Sequence, residues 1–386
     1  MAGAVTVLAG TTKGVFLLRS QDGRQGWQVS GPHCDGWNIN HVIGDPATGA
    51  LYAAGGGEFH GAGVWRSTDG GETWVLSLLA NGIMDAMLAE NPGMAEYMGR
   101  GPMPDAPFKG RISALWSLGL SGGVLYAGAK PATLFASRDG GESWEEVEAL
   151  SNHPSRPEWE PGGAGLVLHT IVGDPADAGK LWVGISAAGV FATEDGGQSW
   201  ERRNRLSNEG DGQHDHHDHS HGEGHELGFC VHNMVRAPGG GDLMYQQNHH
   251  GVFRSPDGGR SWHPITAGLP SDFGFPIAVD PSDARRLWTF PLNGDTKGRY
   301  PPGASAAVYR SEDGGESWQA MTDGLPVKDC FFTVLRQAMA VDRASPTGVY
   351  FGTNSGSVFA SCDQGAHWDE IARHLPTVLS VETVTA

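Results

Sequence analysis

The sequence predicts an all-β fold, a seven-bladed β-propeller, and three observations carry that prediction. An eight-residue box, Ser/Thr-x-Asp-x-x-x-x-Trp, recurs seven times; strand-like apolar runs precede each box in a fixed order; and the last run of the chain is a strand that no box follows. Composition agrees. Glycine supplies 59 of 386 residues, tryptophan 13, and charged residues only 18%. Many tight turns and few charged faces suit short strands and exclude a helical bundle or coiled coil. A hydrophobic fraction of 39% is ample for a core.

The boxes begin at Ser20, Ser67, Ser137, Thr193, Ser255, Ser311 and Ser361, separated by 47, 70, 56, 62, 56 and 50 residues. The first and last are degenerate. Each box reads as a hairpin turn. The aspartate accepts bonds from its own backbone, the glycines permit positive φ, and the tryptophan buries a large ring at the start of the next strand. One strand ends at each box, as in Gly63-Val-Trp-Arg and Gly251-Val-Phe-Arg. Another precedes it, as in Leu181-Trp-Val-Gly, and a further one closes on Asp-Pro, as at Asp174-Pro175. Four strands per repeat and seven repeats describe a propeller. Val5–Ala9 reads as the second strand of a blade, and Thr377–Val384 is expected to supply its missing inner strand, closing the ring and removing the open edge.

These boxes resemble the Asp-box, or BNR, repeats of sialidases, xyloglucanases, the sortilin ectodomain and photosystem-assembly propellers. The whole chain resembles bacterial BNR-repeat proteins called sialidase-like or glycosyl-hydrolase-like. The resemblance implies that Asp22, Asp69, Asp139, Asp195, Asp257, Asp313 and Asp363 are turn residues away from the ligand face. It does not extend to sialidase chemistry. Those enzymes carry six blades, an Arg-Ile-Pro, an arginine trio and a tyrosine nucleophile. Here Arg111-Ile-Ser is the nearest motif, and Arg111, Arg299 and Arg336 match no such pattern.

Net charge is −18 without a basic cluster, which disfavours nucleic acid as a partner. No run of about 18 apolar residues is present to span a membrane. The N-terminal run lacks a basic segment and reads as a strand, so a cytoplasmic protein is expected. Cys34, Cys230, Cys330 and Cys362 form no Cys-x-x-Cys pair, which excludes a zinc ribbon or thioredoxin motif.

If the first strand of each blade is innermost, the connections into inner strands and the loops between second and third strands share one face, opposite the boxes. Histidines gather on these segments. His41, His169 and His232 open inner strands, while His60 and His249–His250 lie in second-to-third-strand loops. Counting back six from the proline that ends each inner strand places His169 and His232 at one blade position, held by Asn40 in an earlier blade. Imidazoles converging on an axis suit a transition metal: zinc, iron, copper or manganese. His169, His232, His249, His41 and His60 are the expected ligands, with Glu58 or Asp272 as acid/base for a small-molecule substrate and a hydrolase, lyase or oxygenase chemistry. One rival reading is a metal-independent glycoside hydrolase using Asp272 and Asp329, both following Gly-Leu-Pro. The other is a non-catalytic scaffold. Two insertions fall on the same face. The one at 79–110 is Met-rich, with short helices expected at 85–90 and 94–98, and reads as a lid or protein-partner surface. The one at 207–227 holds six histidines within 214–225, a composition suited to metal.

Overall fold

The structure, a computed structural model, describes residues 4–21, 23–206, 226–239 and 241–385. Asp22 and the histidine-rich tract 214–225 lie outside them. Blade 1 holds β1 (Val5–Thr11), β2 (Gly14–Arg19) and β3 (Gln28–His33). Blade 2 holds β4 (Ile39–Gly44), β5 (Leu51–Gly57), β6 (Gly61–Ser67) and β7 (Val75–Asn81), followed by helices α1 (Ile83–Glu90) and α2 (Pro92–Met98). Blade 3 is β8 (Ala114–Ser121), β9 (Val124–Lys130), β10 (Leu134–Ser137) and β11 (Glu145–Glu146), trailed by α3 (Glu148–Ser151). Blade 4 is β12 (Leu168–Gly173), β13 (Leu181–Ile185), β14 (Gly189–Thr193) and β15 (Glu201–Arg202). Blade 5 is β16 (Val231–Arg236), β17 (Met244–Asn248), β18 (Gly251–Ser255) and β19 (His263–Pro264). Blade 6 is β20 (Gly274–Asp280), β21 (Asp283–Pro291), β22 (Val308–Ser311) and β23 (Gln319–Met321). Blade 7 is β24 (Met339–Val341), β25 (Val349–Gly352), β26 (Val358–Ser361) and β27 (Asp369–Ala372). The last strand, β28 (Val378–Thr385), pairs antiparallel with β1 and completes blade 1, so the ring closes as the sequence predicts.

The boxes fold alike because each side chain has a local partner. Ser67 donates to Asp69 Oδ1 at 2.8 Å, Asp69 accepts the Thr73 N–H at 3.0 Å, and the Gly71 N–H reaches the Ser67 hydroxyl. The same pattern recurs at Asp139, Asp195, Asp257, Asp313 and Asp363. Gly70 and Gly71 sit at φ 74° and 96°, where a side chain would be strained. The boxes also join blades. A carbonyl in five of them accepts a donor from the preceding blade: Arg19 to Gly70, Arg66 to Gly140, Trp182 to Gly258, Arg254 to Gly314 and Trp288 to Gln364. Trp182, Trp262, Trp288 and Trp368 are fully buried between blades. Truncating one such ring costs about 3–5 kcal/mol. Arg24 fastens blade 1 to blade 7 by a buried ion pair to Asp342 at 3.2 Å, and Asp342 also accepts the Tyr350 hydroxyl.

The inner strands carry the feature that positions the site. Each of four bulges by one residue: Asn40 in β4, Trp116 in β8, His169 in β12 and His232 in β16. A bulge leaves one residue unpaired and re-aims its side chain. The corresponding position of β20 is Phe275, within its register shift. In blade 7, Arg336 and Gln337 precede β24 and reach across the ring. The Asn233 amide donates to the Arg336 carbonyl at 2.7 Å, and the Gln337 amide donates to the His169 carbonyl.

In the insertion, buried Asp85 accepts the Met103 N–H at 3.0 Å and the Asn81 amide at 3.2 Å, which ties α1 to the loop behind it. Ile83, Met87, Tyr97, Met98 and Met103 remain exposed.

Two pH effects follow. Hydrogen bonds from Ser199 and Ser317 hold Asp195 and Asp313 down to about 2, against an ordinary 3.8. These depressed groups stabilise the fold above pH 3.8, and that contribution disappears as pH falls toward 2. The urea midpoint is therefore expected to drop between pH 4 and 2, and to drop less in an Asp195→Asn/Asp313→Asn variant. On β28, burial pushes Glu382 from 4.5 up to about 7. The fold favours its protonated form, so stability is lost as pH rises from 4.5 through about 7. Glu382→Gln should therefore raise the melting temperature at pH 8 and change it little at pH 4.5.

Candidate metal centre

Three ligand-type side chains meet on blade 5 where it faces blade 6. Cys230 lies one residue before β16, where its backbone bridges Ser186 in the turn after β13. Its carbonyl accepts the His249 N–H at 3.0 Å, which fixes the two-residue turn between β17 and β18. His232 is the bulge residue of β16, and His249 stands in that turn. Cys230 Sγ and His232 Nε2 are 3.7 Å apart, and one ligand atom from each of the three residues falls within 4.8 Å of the others. A tetrahedral zinc holding one thiolate and one imidazole spaces those atoms about 3.6 Å apart.

The tautomer of His232 is set by its other nitrogen. Nδ1 lies 2.6 Å from the Gly274 carbonyl, which only accepts, so Nδ1 carries the proton. Nε2 then presents its lone pair toward Cys230, the arrangement that backbone carbonyls impose on metal-binding histidines. Burial, and then the positive charge of Arg336, hold the His232 pKa well below the ordinary imidazole range. The ring is neutral and competent as a ligand at neutral pH. Phe273 and Phe275 wall it at 5.1 and 4.7 Å between ring centres, and His249 packs at 5.4 Å.

The centre opens into a cavity of about 600 Å³. Its walls come from both loop sets expected to share a face: the connections into β12, β16 and β24, and the turns after β13, β17 and β21. Glu158, Glu160 and Asp295 bring carboxylates; Arg299 and Arg336 bring guanidiniums. Glu158 is paired with Arg202 at 3.0 Å and Asp295 with Arg299 at 2.5 Å. Glu160 has no ion pair among the described residues.

Of the five histidines expected as ligands, His232 and His249 come together. His169 occupies the matching bulge one blade away, but its Nδ1 lies 2.9 Å from the Thr170 hydroxyl and it stands outside the cluster. That hydroxyl donates onward to Asn233 Oδ1, so His169 Nδ1 is the donor to it. His41 Nδ1 accepts the Leu118 N–H at 2.9 Å, tying blade 2 to blade 3. Burial lowers its pKa to about 4, so it is a neutral structural link. His60 stacks on Trp37 at 5.3 Å, beside the insertion of blade 2. The acid/base candidates are also elsewhere. Glu58 and Asp272 are exposed and do not line this cavity, and exposed Asp329 lines a separate cleft with Phe331 and Phe332. Cys230 was missed by sequence reasoning. Its signal is the Cys-x-His spacing, which a strand entrance folds onto one side.

The fold and site define a seven-bladed propeller with a candidate Cys/His/His centre at the mouth of its ring. The chain resembles xyloglucanases and other propellers of this kind. No family model matches it. It is 26% identical over 220 residues to an oligoxyloglucan-reducing end-specific xyloglucanase of Emericella nidulans, half of this chain but only 25% of that protein. The chain thus spans about a quarter of the curated relative it matches. A glycoside hydrolase family 74 xyloglucanase from Xanthomonas campestris superimposes with a TM-score of 0.62 at 20% identity, covering 97% of this chain and 53% of that one. Citrobacter koseri AztD superimposes at 0.55 with 11% identity, covering 100% and 98%. Both structural likenesses establish the fold alone.

The His232 tautomer is directly measurable. Two-dimensional ¹⁵N–¹H spectra of metal-free protein should show His232 protonated at Nδ1 and unchanged between pH 8 and 5.5. A shift to the doubly protonated form within that range would contradict the buried, carbonyl-bonded ring.

Proposed function

We propose that Cys230, His232 and His249 hold a divalent transition metal, most simply zinc, and that the cavity above it carries out hydrolytic chemistry on a small molecule. The supporting observation is the donor set itself. A thiol and two imidazoles stand at near-coordination spacing, and one imidazole is locked with its lone pair toward the others. Three protein ligands leave a fourth position for water or substrate, as catalytic zinc requires. A zinc held by Cys230, His232 and His249 would supply activation of water and polarisation of a substrate oxygen. Glu160, free of ion pairs among the described residues, is the proposed proton acceptor, in place of Glu58 and Asp272, which do not line the cavity.

The likeness to xyloglucanases favours a second reading, glycoside hydrolysis without metal by exposed carboxylates such as Asp272 and Asp329. The exposed apolar side chains of α1 and α2 favour the third, a scaffold that meets a protein partner. Metal content and oligosaccharide cleavage together separate them. Chelator-washed, untagged protein reloaded with zinc should retain about one metal per chain by mass spectrometry. It should retain it after deletion of residues 211–225 and lose it in Cys230→Ser/His232→Ala. Absence of stoichiometric metal, or its loss with the deletion alone, overturns the metal reading. Loss of oligosaccharide cleavage in Asp272→Ala or Asp329→Ala alone would establish the glycosidase.

A further inference from the structure

Arg336 is anomalous for its surroundings. The protein carries a net charge of −18, yet no carboxylate pairs with this guanidinium among the described residues. It makes no hydrogen bond there, and its Nε is buried without a partner. It lies instead against the Phe275 ring, 4.9 Å from the ring centre, with Arg299 against the same ring at 5.6 Å. A half-buried guanidinium that lines the cavity without a carboxylate partner has its donors open to an anion from solution.

The segment is held in place by its backbone rather than by its charge. The Arg336 carbonyl is anchored by Asn233, and neighbouring Gln337 is anchored on the His169 carbonyl, both across the ring. The side chain is thereby held at the floor of the cavity without an internal salt bridge. Phe275 links the two halves of the cavity: one neighbour is the His232 ring at 4.7 Å and the other is Arg336.

We propose that the cavity binds a small organic carboxylate. Its carboxylate group takes both terminal nitrogens of Arg336, its body lies over Phe275, and its reactive end points toward Cys230, His232 and His249. Charge favours the smaller anion. Arg299 is paired with Asp295 and Glu158 with Arg202, which leaves Arg336 as the unpaired cation and Glu160 as the unpaired carboxylate of the lining. Arg336 matches the single charge of a monoanion, whereas a phosphate dianion would bring a second negative charge into a lining that already holds Asp295, Glu158 and Glu160. The planar fork of arginine also suits the two oxygens of a carboxylate. Cation and aromatic ring together recognise an acid with an apolar body. The assignment deepens the reading of this cavity as a small-molecule site, but the anion contact itself does not require the metal.

Metal-free protein titrated calorimetrically with phenylacetate, phenylacetamide and inorganic phosphate tests this. Phenylacetate should bind at least about 30-fold more tightly than its neutral amide, and Arg336→Gln should lose that preference. The preference is read on metal-free protein and metal retention on zinc-loaded protein, so a failed metal centre and a failed anion site give different results. The amide comparison uses wild-type protein and survives any folding defect of the variant. Equal binding of acid and amide, no binding of either, or tighter binding of phosphate would each overturn the proposal.

Discussion

One extra residue in the inner strand is what the site depends on. A regular strand would hold residue 232 in the ladder with β17 and fix its side chain to one face of the sheet. The bulge turns that residue out of the ladder, toward the mouth of the ring, and the next blade supplies a carbonyl to receive its Nδ1 proton. The same device operates in β4, β8 and β12, with asparagine, tryptophan and histidine in turn. The fold therefore offers a set of equivalent sockets, and chemistry depends on which residue fills each.

A socket is useful only if the blades cannot shift relative to one another. The Asp-box turns contribute to that on the far face, where their carbonyls take donors from the preceding blade, and buried tryptophans fill the gaps between. Blade 1 is secured by strand pairing and by the Arg24–Asp342 pair. Metal and anion contacts both need donors fixed to within a fraction of an ångström, and a ring stitched on one face can hold them on the other.

Blade number and the turn role of the boxes were legible in the sequence because each is a local pattern repeated seven times, and ring closure because one terminal strand was left without a box. The equivalence of Asn40, His169 and His232 was legible too, by counting back from the proline. What the pattern could not give was direction. His169 and His232 occupy the same socket, yet one meets the hydroxyl of its own neighbour, Thr170, and the other meets Gly274 of the next blade. That difference lies in the packing of adjacent blades, which no single repeat encodes. Cys230 was hidden because Cys-x-His becomes a ligand pair only where a strand entrance folds both side chains onto one side, and the role of Arg336 because it sits on an irregular segment that belongs to no repeat.

The two bonds made by Arg336 and Gln337 also set how movement is shared among the blades. They run from blade 7 to Asn233 of blade 5 and to the His169 carbonyl of blade 4. Most joins between blades pass from neighbour to neighbour around the circumference, whereas these two cut across it. A change in the seating of blade 4 or blade 5 would therefore be felt at Arg336 directly, without passing through blade 6.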